Sequence, residues 1–234
     1  MILSIITVVY NAVDTIEDTI KSVIGTNTKN IEYVIIDGGS TDGTLKIIEK
    51  YQSQLGYFVS EKDNGIYDAM NKAVTKASGN WVYFLGADDV LLPGVLNEVV
   101  GRLTDRKTIY YGNVRFKHKN IIYDGRFNSL KLVTRNISHQ SIFYPINVFK
   151  KHNFNRRYII FADYDLNLRL FDSKEFKFKY IPLTIAIYND HGASGLKTQD
   201  INFEDDRMAI IRQNFNLFIY LYRYLRTKIV SFYC

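Results

Sequence analysis

The chain has 234 residues, of which 47% are hydrophobic, enough for one domain with a substantial core. Thirty basic residues against 24 acidic ones give a net charge of +6, which suits a phosphate-bearing ligand or an anionic membrane surface. The one cysteine, Cys234, excludes an internal disulfide framework, so nothing points to an oxidising compartment and we expect a cytoplasmic protein.

The first residues, MILSIITVVYN, are apolar but lack a basic leading segment and a small-residue cleavage site. We therefore expect them to form a strand and not a signal peptide. No stretch reaches the roughly 18 uninterrupted apolar residues that a membrane-spanning helix needs. The sequence predicts a protein that is soluble or lies on a membrane surface.

Residues 1–110 alternate between strand and helix patterns. The β-branched run at residues 2–9 predicts a first strand, and Ile16, Ile20 and Val23 then fall on one helical face. We expect Asp14 and Glu17 to cap this helix. The segment IEYVIID, residues 31–37, predicts a second strand.

The alternation continues after the glycine-rich turn GGSTDGT. A second helix is predicted with Leu45, Ile48 and Tyr51 on one face, and a third helix is followed by the strand WVYFL, residues 81–85. The inward positions of the third helix are Tyr67, Met70, Ala73, Val74 and Ala77. Strands that alternate with helices favour an α/β fold, in which a mostly parallel, twisted sheet is flanked by helices.

Polar side chains follow three of the predicted strands. Tyr10 and Asn11 follow the first strand, Asp37 ends the second, and Asp88 and Asp89 follow WVYFL. Ligands of open parallel sheets bind beyond these carboxyl ends, although loop solvation and helix capping remain alternatives for each residue. Two adjacent carboxylates repel one another unless a hard cation such as Mg²⁺ or Mn²⁺ neutralises them, and such a cation also attracts a diphosphate.

Two common nucleotide-binding motifs are missing from the sequence. The first strand is followed by YNAVDT, so neither the G-x-G-x-x-G turn of dinucleotide folds nor a P-loop is present there. The glycines come after the second strand instead, as Gly38, Gly39 and Gly43.

Six segments occur in a characteristic order: TVVYN, VIIDGGSTDGT, EKDNGIYDAMNKA, YFLGADD, SHQSIF and ADYDLNLRL. Together they resemble glycosyltransferase family 2, and the resemblance covers about residues 1–195. It implies an inverting enzyme with a GT-A fold. We expect one domain, with a Rossmann-like nucleotide-sugar half at 1–110, an acceptor half at 111–199 and a C-terminal helix at 200–234.

The resemblance also implies a donor site. It places the nucleotide base against Thr7, Val9 and Tyr10, with the Asp37 carboxylate accepting from the ring, which favours uracil. The glycine-rich turn beginning at Gly38 completes this side of the donor site. Asp68 of the G-I-Y-D-A-M-N stretch lines the nucleotide pocket. Lys72, one helical turn later, is either a phosphate contact or an exposed helix lysine.

In the family's D-x-D motif the last acid binds the metal. The aligned triplet here is Gly86, Ala87 and Asp88, so the first acid is absent and Asp88 is left as the expected ligand of Mn²⁺ or Mg²⁺. Asp89 then orients the donor sugar or the turn. His191 in NDHGASG is a candidate second ligand, with an exposed histidine as the alternative.

Inversion at the anomeric carbon needs a group that takes the proton of the acceptor hydroxyl. The resemblance assigns this role to Asp163 in ADYDLNLRL, an A-D-Y-D-L form of the base motif; an N-cap role for Asp163, or a base at Asp165, remains open. His139 and Gln140 are expected to shape the donor or acceptor site. Arg169 either pairs with a neighbouring acid or lies on the surface.

These expectations describe a metal-assisted hexosyltransferase that moves a sugar from a nucleotide diphosphate sugar, such as a UDP-sugar, to a glycan or lipid-linked acceptor in surface polysaccharide synthesis. No nucleic-acid partner is expected. Two alternatives are a nucleotidyltransferase, which usually has a basic, glycine-rich loop after the first strand, and a non-catalytic nucleotide-sugar binding module.

The C-terminal segment from residue 207 is basic and aromatic. It is predicted to be one amphipathic helix that contains five basic residues and no acid: Arg207, Arg212, Arg223, Arg226 and Lys228. Beyond Leu217 the apolar residues surround this helix too completely for a single buried stripe. We therefore expect its second apolar surface to contact either a membrane or another copy of the chain.

Overall fold

A computed structural model describes residues 1–192 and 199–233, so the end of the NDHGASG segment and Cys234 lie outside the described residues. The strands are β1 (Leu3–Val9), β2 (Ile31–Asp37), β3 (Tyr57–Ser60), β4 (Trp81–Phe84), β5 (Val90–Leu91), β6 (Thr108–Phe116), β7 (Ile122–Tyr123), β8 (Ile142–Pro145) and β9 (Lys177–Tyr188). The helices are α1 (Ile16–Ile24), α2 (Thr44–Lys50), α3 (Ile66–Lys76), α4 (Val95–Val100), α5 (Ser129–Leu132), α6 (Ala162–Phe171), α7 (Ile201–Asn214) and α8 (Leu217–Tyr233).

The described strands form one sheet in the order β3-β2-β1-β4-β8-β6-β9-β5, with β7 paired to β6. Strands β3, β2, β1 and β4 are parallel to one another, and β6 is parallel to β9. Strand β8 joins the two parts by antiparallel pairing with β4 and β6. The predicted α/β class is confirmed, and antiparallel pairing is confined to the half of the sheet beyond β4.

The sheet is buried on both faces. Ile5 and Ile6 of β1 point to opposite faces and both are fully buried, as expected for a central parallel strand. One face packs against α1, α2 and α4, and the other against α3, α6 and α7. Because Val9 pairs with Asp37 in register, the carboxyl ends of β1 and β2 lie at the same edge.

Two local features of the first half differ from the sequence predictions. Strand β3 was not predicted; it is a four-residue strand at the sheet edge, and its residues are only half-buried or exposed. The predicted capping pair is wrong, because α1 begins after Thr15 without a side-chain cap. Glu17 instead accepts a hydrogen bond from the Tyr51 hydroxyl at 2.7 Å.

The predicted C-terminal helix is present but is not one continuous helix, since this segment forms α7 and α8. Phe215 is extended between them, with φ −126° and ψ 161°, and its ring is buried. Asn216 then begins α8, because its Oδ1 accepts a hydrogen bond from the Ile219 amide at 3.0 Å. Within the described ranges, no helix has the length and apolar character needed to cross a bilayer.

Asp200 connects the start of α7 to the turn that precedes α6. Its fully buried carboxylate accepts hydrogen bonds from the amides of Ile160 at 2.9 Å and Phe161 at 3.2 Å through Oδ2. Its Oδ1 accepts from the Phe203 amide at 3.4 Å, which makes Asp200 the N-cap of α7. One side chain therefore fixes the position of two helices.

We predict that Asp200→Ala lowers the free energy of unfolding by about 2–3 kcal/mol, because the helix loses its cap and two further amides lose their acceptor. Urea denaturation measures this change. Asp205→Ala, at an exposed position of the same helix, is the control and should stay within about 0.5 kcal/mol of wild type. Equal effects of the two substitutions would contradict the role of Asp200.

Candidate active site

The loops after β1 and β2 are bound to each other at the carboxyl edge of the sheet. The Gly38 amide donates to the Val9 carbonyl at 2.8 Å, and the Asn11 amide donates to Ser40 Oγ at 2.8 Å. Asn11 has a φ of 48°, and its Oδ1 accepts from the Thr41 amide at 2.9 Å. These bonds hold the two loops as one rigid wall.

The residues predicted to contact the nucleotide base differ in accessibility. The Tyr10 side chain is 62% exposed at the edge of the sheet, whereas Val9 and Thr7 are buried. The Thr7 hydroxyl accepts a hydrogen bond from the Tyr33 hydroxyl at 3.0 Å inside the core. Of this predicted set, Tyr10 alone presents its side chain to solvent.

Asp37 is fully buried at the end of β2 and stabilises its own loop. Its carboxylate accepts hydrogen bonds from the amides of Gly39 and Ser40, at 3.1 and 3.0 Å. The hydroxyls of Ser40 and Ser60 donate to the same carboxylate. Gly38, the next residue, faces Asp63, because a Cβ at Gly38 would lie 2.5 Å from Asp63 Oδ2.

Asp68, in the first turn of α3, is surrounded by donors. It accepts from the Asn64 amide at 3.1 Å and from Arg156 Nη1 at 2.7 Å, and the Asn64 bond, followed by the Arg156 bond, holds its pKa below the ordinary range. Lys72 Nζ lies 3.5 Å from Asp68 and 3.0 Å from Glu61. The charge of Lys72 is thus shared between two carboxylates and is not free.

Asp88 and Asp89 follow β4 and are both held by Asn189, which follows β9. The Asn189 side chain donates to Asp88 Oδ2 at 2.9 Å, and its backbone amide donates to Asp89 Oδ1 at 2.7 Å. Asp89 is buried, and no described residue donates to its Oδ2. Burial, together with the charge of Asp88, raises the pKa of Asp89 to about 6.

His191 lies beside this pair without completing a metal-ligand cluster. Its backbone amide donates to Asn189 Oδ1 at 3.2 Å, and its ring stacks on His118 with centroids 3.9 Å apart. The described ranges contain no group of three or more His, Cys, Asp or Glu side chains arranged to hold a metal ion. A cation at Asp88 therefore depends on ligands from elsewhere, which is common for Mg²⁺ sites completed by substrate phosphates.

Asp163, in the first turn of α6, is buried, but its carboxylate can accept more hydrogen bonds than the described residues donate to it. Its Oδ1 accepts from the Tyr67 hydroxyl at 2.8 Å, and its Oδ2 accepts from Asn136 Nδ2 at 2.7 Å. His139 Nδ1 lies 3.7 Å from Oδ2. The N-cap position of α6 is Phe161, so Asp163 does not cap the helix.

A chain of hydrogen bonds fixes the amide that holds Asp163. Asn167 Nδ2 donates to Asn136 Oδ1 at 2.8 Å, and the Tyr144 hydroxyl donates to Asn167 Oδ1 at 2.8 Å. Asn136 therefore presents its NH₂ group to the carboxylate. Sequence reasoning missed the site contacts of Tyr67, Asn136 and Asn167, although Tyr67 adjoins Asp68 and Asn167 follows Asp163 by one helical turn.

Asp165 has a different environment from Asp163. Arg169 donates to its Oδ2 from Nε at 3.0 Å and lies within 2.9 Å through Nη2. Burial raises the pKa of Asp165, while the Arg169 charge opposes this rise. Arg169 thus pairs with a neighbouring acid, and Asp165 is occupied by a buried ion pair.

His139 and Gln140 lie between the two groups of acids. His139 is near Asp163 and also close enough to Asp89 for its charge to lower the Asp89 pKa. The Gln140 carbonyl accepts from the Tyr83 hydroxyl at 2.8 Å, which anchors the segment to β4. His139 therefore lies near both Asp163 and the acids that follow β4.

Comparisons with known proteins bear on the family and the fold of the chain. The sequence matches the family described as Glycosyl transferase family 2 over residues 4–215. A PGL/p-HBAD biosynthesis glycosyltransferase of Mycobacterium bovis is 34% identical over 197 residues, covering 81% of this chain and 77% of the relative. The putative teichuronic acid biosynthesis glycosyltransferase TuaG of Bacillus subtilis is 40% identical over 91 residues, 38% of this chain and 36% of TuaG.

Solved structures share the fold. S. aureus TarS 1–349 in complex with UDP has a TM-score of 0.74 at 18% identity, and the match covers 90% of this chain and 64% of the TarS 1–349 chain. The mannosyltransferase PcManGT of Pyrobaculum calidifontis, in complex with GDP-Man and Mn²⁺, has a TM-score of 0.66 at 17% identity, covering 91% of this chain and 62% of PcManGT.

We predict a pH-dependent effect of Asp89→Asn on the metal-free protein. The folded-state pKa of Asp89 is about 6 against an ordinary value of 3.8, so the folded state holds the proton more tightly than the unfolded state. The ionised carboxylate then destabilises the fold above about pH 6, and this cost vanishes below about pH 4. The variant should gain stability over wild type by roughly 3 kcal/mol across that range.

Urea denaturation in EDTA at several pH values measures this difference. Asp205→Asn removes an exposed charge and serves as the control. Two parallel stability curves for Asp89→Asn and wild type would show that burial does not shift this group.

Proposed function

The chain belongs to glycosyl transferase family 2 and has its GT-A fold, and from this premise we propose an inverting transfer from a nucleotide diphosphate sugar to an acceptor hydroxyl. The observation that carries the proposal is Asp163, a buried carboxylate that is held by side-chain donors and that no basic side chain of the described residues contacts by a direct hydrogen bond. It lies across His139 from the acids that follow β4.

We assign the donor to the carboxyl edge of the sheet and take a UDP-sugar as the donor class. Neighbours of the same fold bind UDP and UDP-GlcNAc in TarS and GDP-Man in PcManGT. The exposed Tyr10 ring provides a surface for the base. For Asp37 to accept from a uracil ring, as the family resemblance implies, Ser40 or Ser60 must release the carboxylate.

The residues after β4 fit a divalent cation that the donor itself helps to hold. Asp88 is the proposed protein ligand of Mn²⁺ or Mg²⁺, and His191 is the candidate second ligand. The ion would neutralise charge that develops on the leaving diphosphate. PcManGT was solved with Mn²⁺, which supports the assignment by analogy of fold alone.

Asp163 is the proposed general base in an A-D-Y-D-L type of motif. As the bond from the anomeric carbon to the diphosphate oxygen breaks, the acceptor oxygen attacks from the opposite face and its proton passes to Asp163. Tyr67 and Asn136 each donate to one oxygen of the carboxylate and so fix the direction of its remaining lone pairs. Asp165 is unsuited to this role because Arg169 holds it.

We propose a glycan or lipid-linked acceptor in surface polysaccharide synthesis, in line with relatives named for PGL/p-HBAD and teichuronic acid biosynthesis. Residues 1–110 would bind the donor and residues 111–199 the acceptor, within one cytoplasmic domain. Helix α8 would contact a membrane or a second copy of the chain. A nucleotide-sugar binding module without turnover is the alternative that an activity assay decides.

A thermal-shift panel of UDP-, GDP- and TDP-sugars, with and without Mn²⁺, tests the donor assignment. A ligand that binds only the native state raises the melting temperature by mass action. We expect UDP-sugars to give the largest metal-dependent shift. No shift with any nucleotide sugar would overturn the proposal.

We predict that Asp88→Asn abolishes the Mn²⁺-dependent part of the shift given by UDP, because the cation loses its carboxylate ligand. The free protein should still fold. Asp205→Asn is the matched control for the loss of one negative charge, and it should keep the full shift. Metal-dependent stabilisation that survives in Asp88→Asn would place the cation elsewhere, and the same assay on His191→Ala tests the second ligand.

We predict that Asp163→Asn lowers kcat by roughly 10²–10⁴-fold, the usual contribution of a general base. Donor binding in the thermal-shift assay should be unchanged, because Asp163 acts on the acceptor proton. Activity retained within about tenfold, or about 1.4 kcal/mol in barrier height, would move the base to another residue.

A further inference from the structure

Helix α8 packs on the domain with one face and leaves the other open. Ile219 is buried, and Tyr220 and Tyr222 are partly covered. The open face carries six large apolar or aromatic side chains that are 42–70% exposed: Leu217, Phe218, Leu221, Tyr224, Leu225 and Ile229. Their spacing of three and four residues makes one continuous stripe, and a surface of this kind usually marks an interaction site.

The charges of α8 favour a bilayer over a second copy of the chain. The helix contains Arg223, Arg226 and Lys228 and has no acidic residue. A twofold dimer through α8 would bring together two helices that each carry three positive charges and no negative one, and this repulsion opposes association. Basic residues beside exposed aromatic and aliphatic side chains are instead typical of a helix that lies in an anionic membrane surface.

A basic cavity of about 380 Å³ lies between α5 and α8, within the size range of ligand sites. Its lining consists of Asn128, Leu130, Lys131, Thr134, Arg135, Tyr222 and Arg226. Lys131 and Arg135 share one carboxylate, Asp124, at 3.3 and 2.6 Å. Arg226 donates to the Tyr222 hydroxyl at 3.2 Å, and no described carboxylate lies within ion-pair distance of it.

The chemistry of this cavity suits a phosphate group. Three cations line it, and Asp124 pairs with two of them from outside the lining, so the cavity keeps an excess of positive charge that attracts an anion. Guanidinium groups bind phosphate oxygens through paired, charge-assisted hydrogen bonds. The Tyr222 and Thr134 hydroxyls provide further polar groups at the wall.

The cavity is close to the proposed base. Arg135 is followed directly by Asn136, whose amide donates to Asp163. Arg135 and Asn136 are thus neighbours in the chain, one lining the cavity and the other contacting the proposed base. Helix α8 contributes Tyr222 and Arg226 to the cavity and carries the open stripe on its exposed side.

We propose that this cavity binds the phosphate group of a membrane lipid while the open face of α8 lies among the lipid chains. We further take that lipid to carry the acceptor, a step that rests on the proposed glycosyltransferase function. The lipid phosphate and the apolar stripe would together bring the acceptor hydroxyl to Asp163 at the membrane surface.

Vesicle flotation of the full-length protein tests the proposal. Wild type should float with phosphatidylcholine vesicles that contain phosphatidic acid and only weakly with phosphatidylcholine alone. Arg226→Gln should weaken binding about fivefold, the effect of one basic residue near an anionic surface. Arg102→Gln, in the turn that follows α4 at the opposite face of the sheet, is the matched control and should float as wild type does.

A second variant, Phe218→Ser with Leu225→Ser, changes two side chains that are already exposed, so its melting temperature should match wild type. It should lose flotation on every vesicle. Wild type that never floats, or Arg226→Gln that floats as well as Arg102→Gln, would overturn the proposal. So would a dimer of wild type that the double variant abolishes, or binding of inorganic phosphate without flotation.

Flotation is independent of catalysis, and Asp163→Asn should float as wild type does. The two proposals can therefore fail separately. A protein that floats but transfers no sugar would contradict the proposed reaction at Asp163. A protein that transfers sugar to a soluble acceptor but does not float would overturn the lipid site alone.

Discussion

Parallel pairing of β1 with both β2 and β4 is the constraint on which the site depends. Val9 pairs with Asp37 and Ile6 pairs with Phe84, so three chain segments leave the sheet at one edge. A shift of one residue would exchange the faces of Ile5 and Ile6, and both faces are buried. Hydrophobic packing therefore fixes the register, and the register in turn fixes where the polar loops meet.

Burying several carboxylates in one half of a small protein is costly unless each has partners. The structure meets this cost in different ways. Asp37 and Asp200 accept hydrogen bonds from amides and hydroxyls, while Asp68 and Asp165 pair with arginine. Asp163, Asp89 and Asp190 are buried acids left with incomplete hydrogen bonding or without direct cation contact in the described residues. Asp163 and Asp89 both lie beside His139, so incomplete neutralisation includes the two acids of the proposed chemistry.

The sequence predicted the parts of this fold that periodic patterns encode. Apolar runs and helical spacing located β1, β2, β4 and the helices between them, and the glycine turn marked the strand ends. Contacts such as Asn136 with Asp163 have no local pattern, because they join a loop to a helix 27 residues later. The break before α8 contains neither glycine nor proline, so helical spacing alone predicted a continuous helix. Asn216, directly before Leu217, is a typical N-cap residue and could have indicated the start of a new helix.

Asp200 has a mechanical consequence. By accepting hydrogen bonds from Ile160, Phe161 and Phe203, it makes the first turn of α7 and the turn before Asp163 a single lever. A tilt of the α7–α8 pair relative to the sheet would then be transmitted to the wall that contains Asp163 instead of being absorbed by a slack connection. Through Asp200, the angle at which α7 and α8 meet a surface would therefore set the orientation of Asp163 toward its substrate.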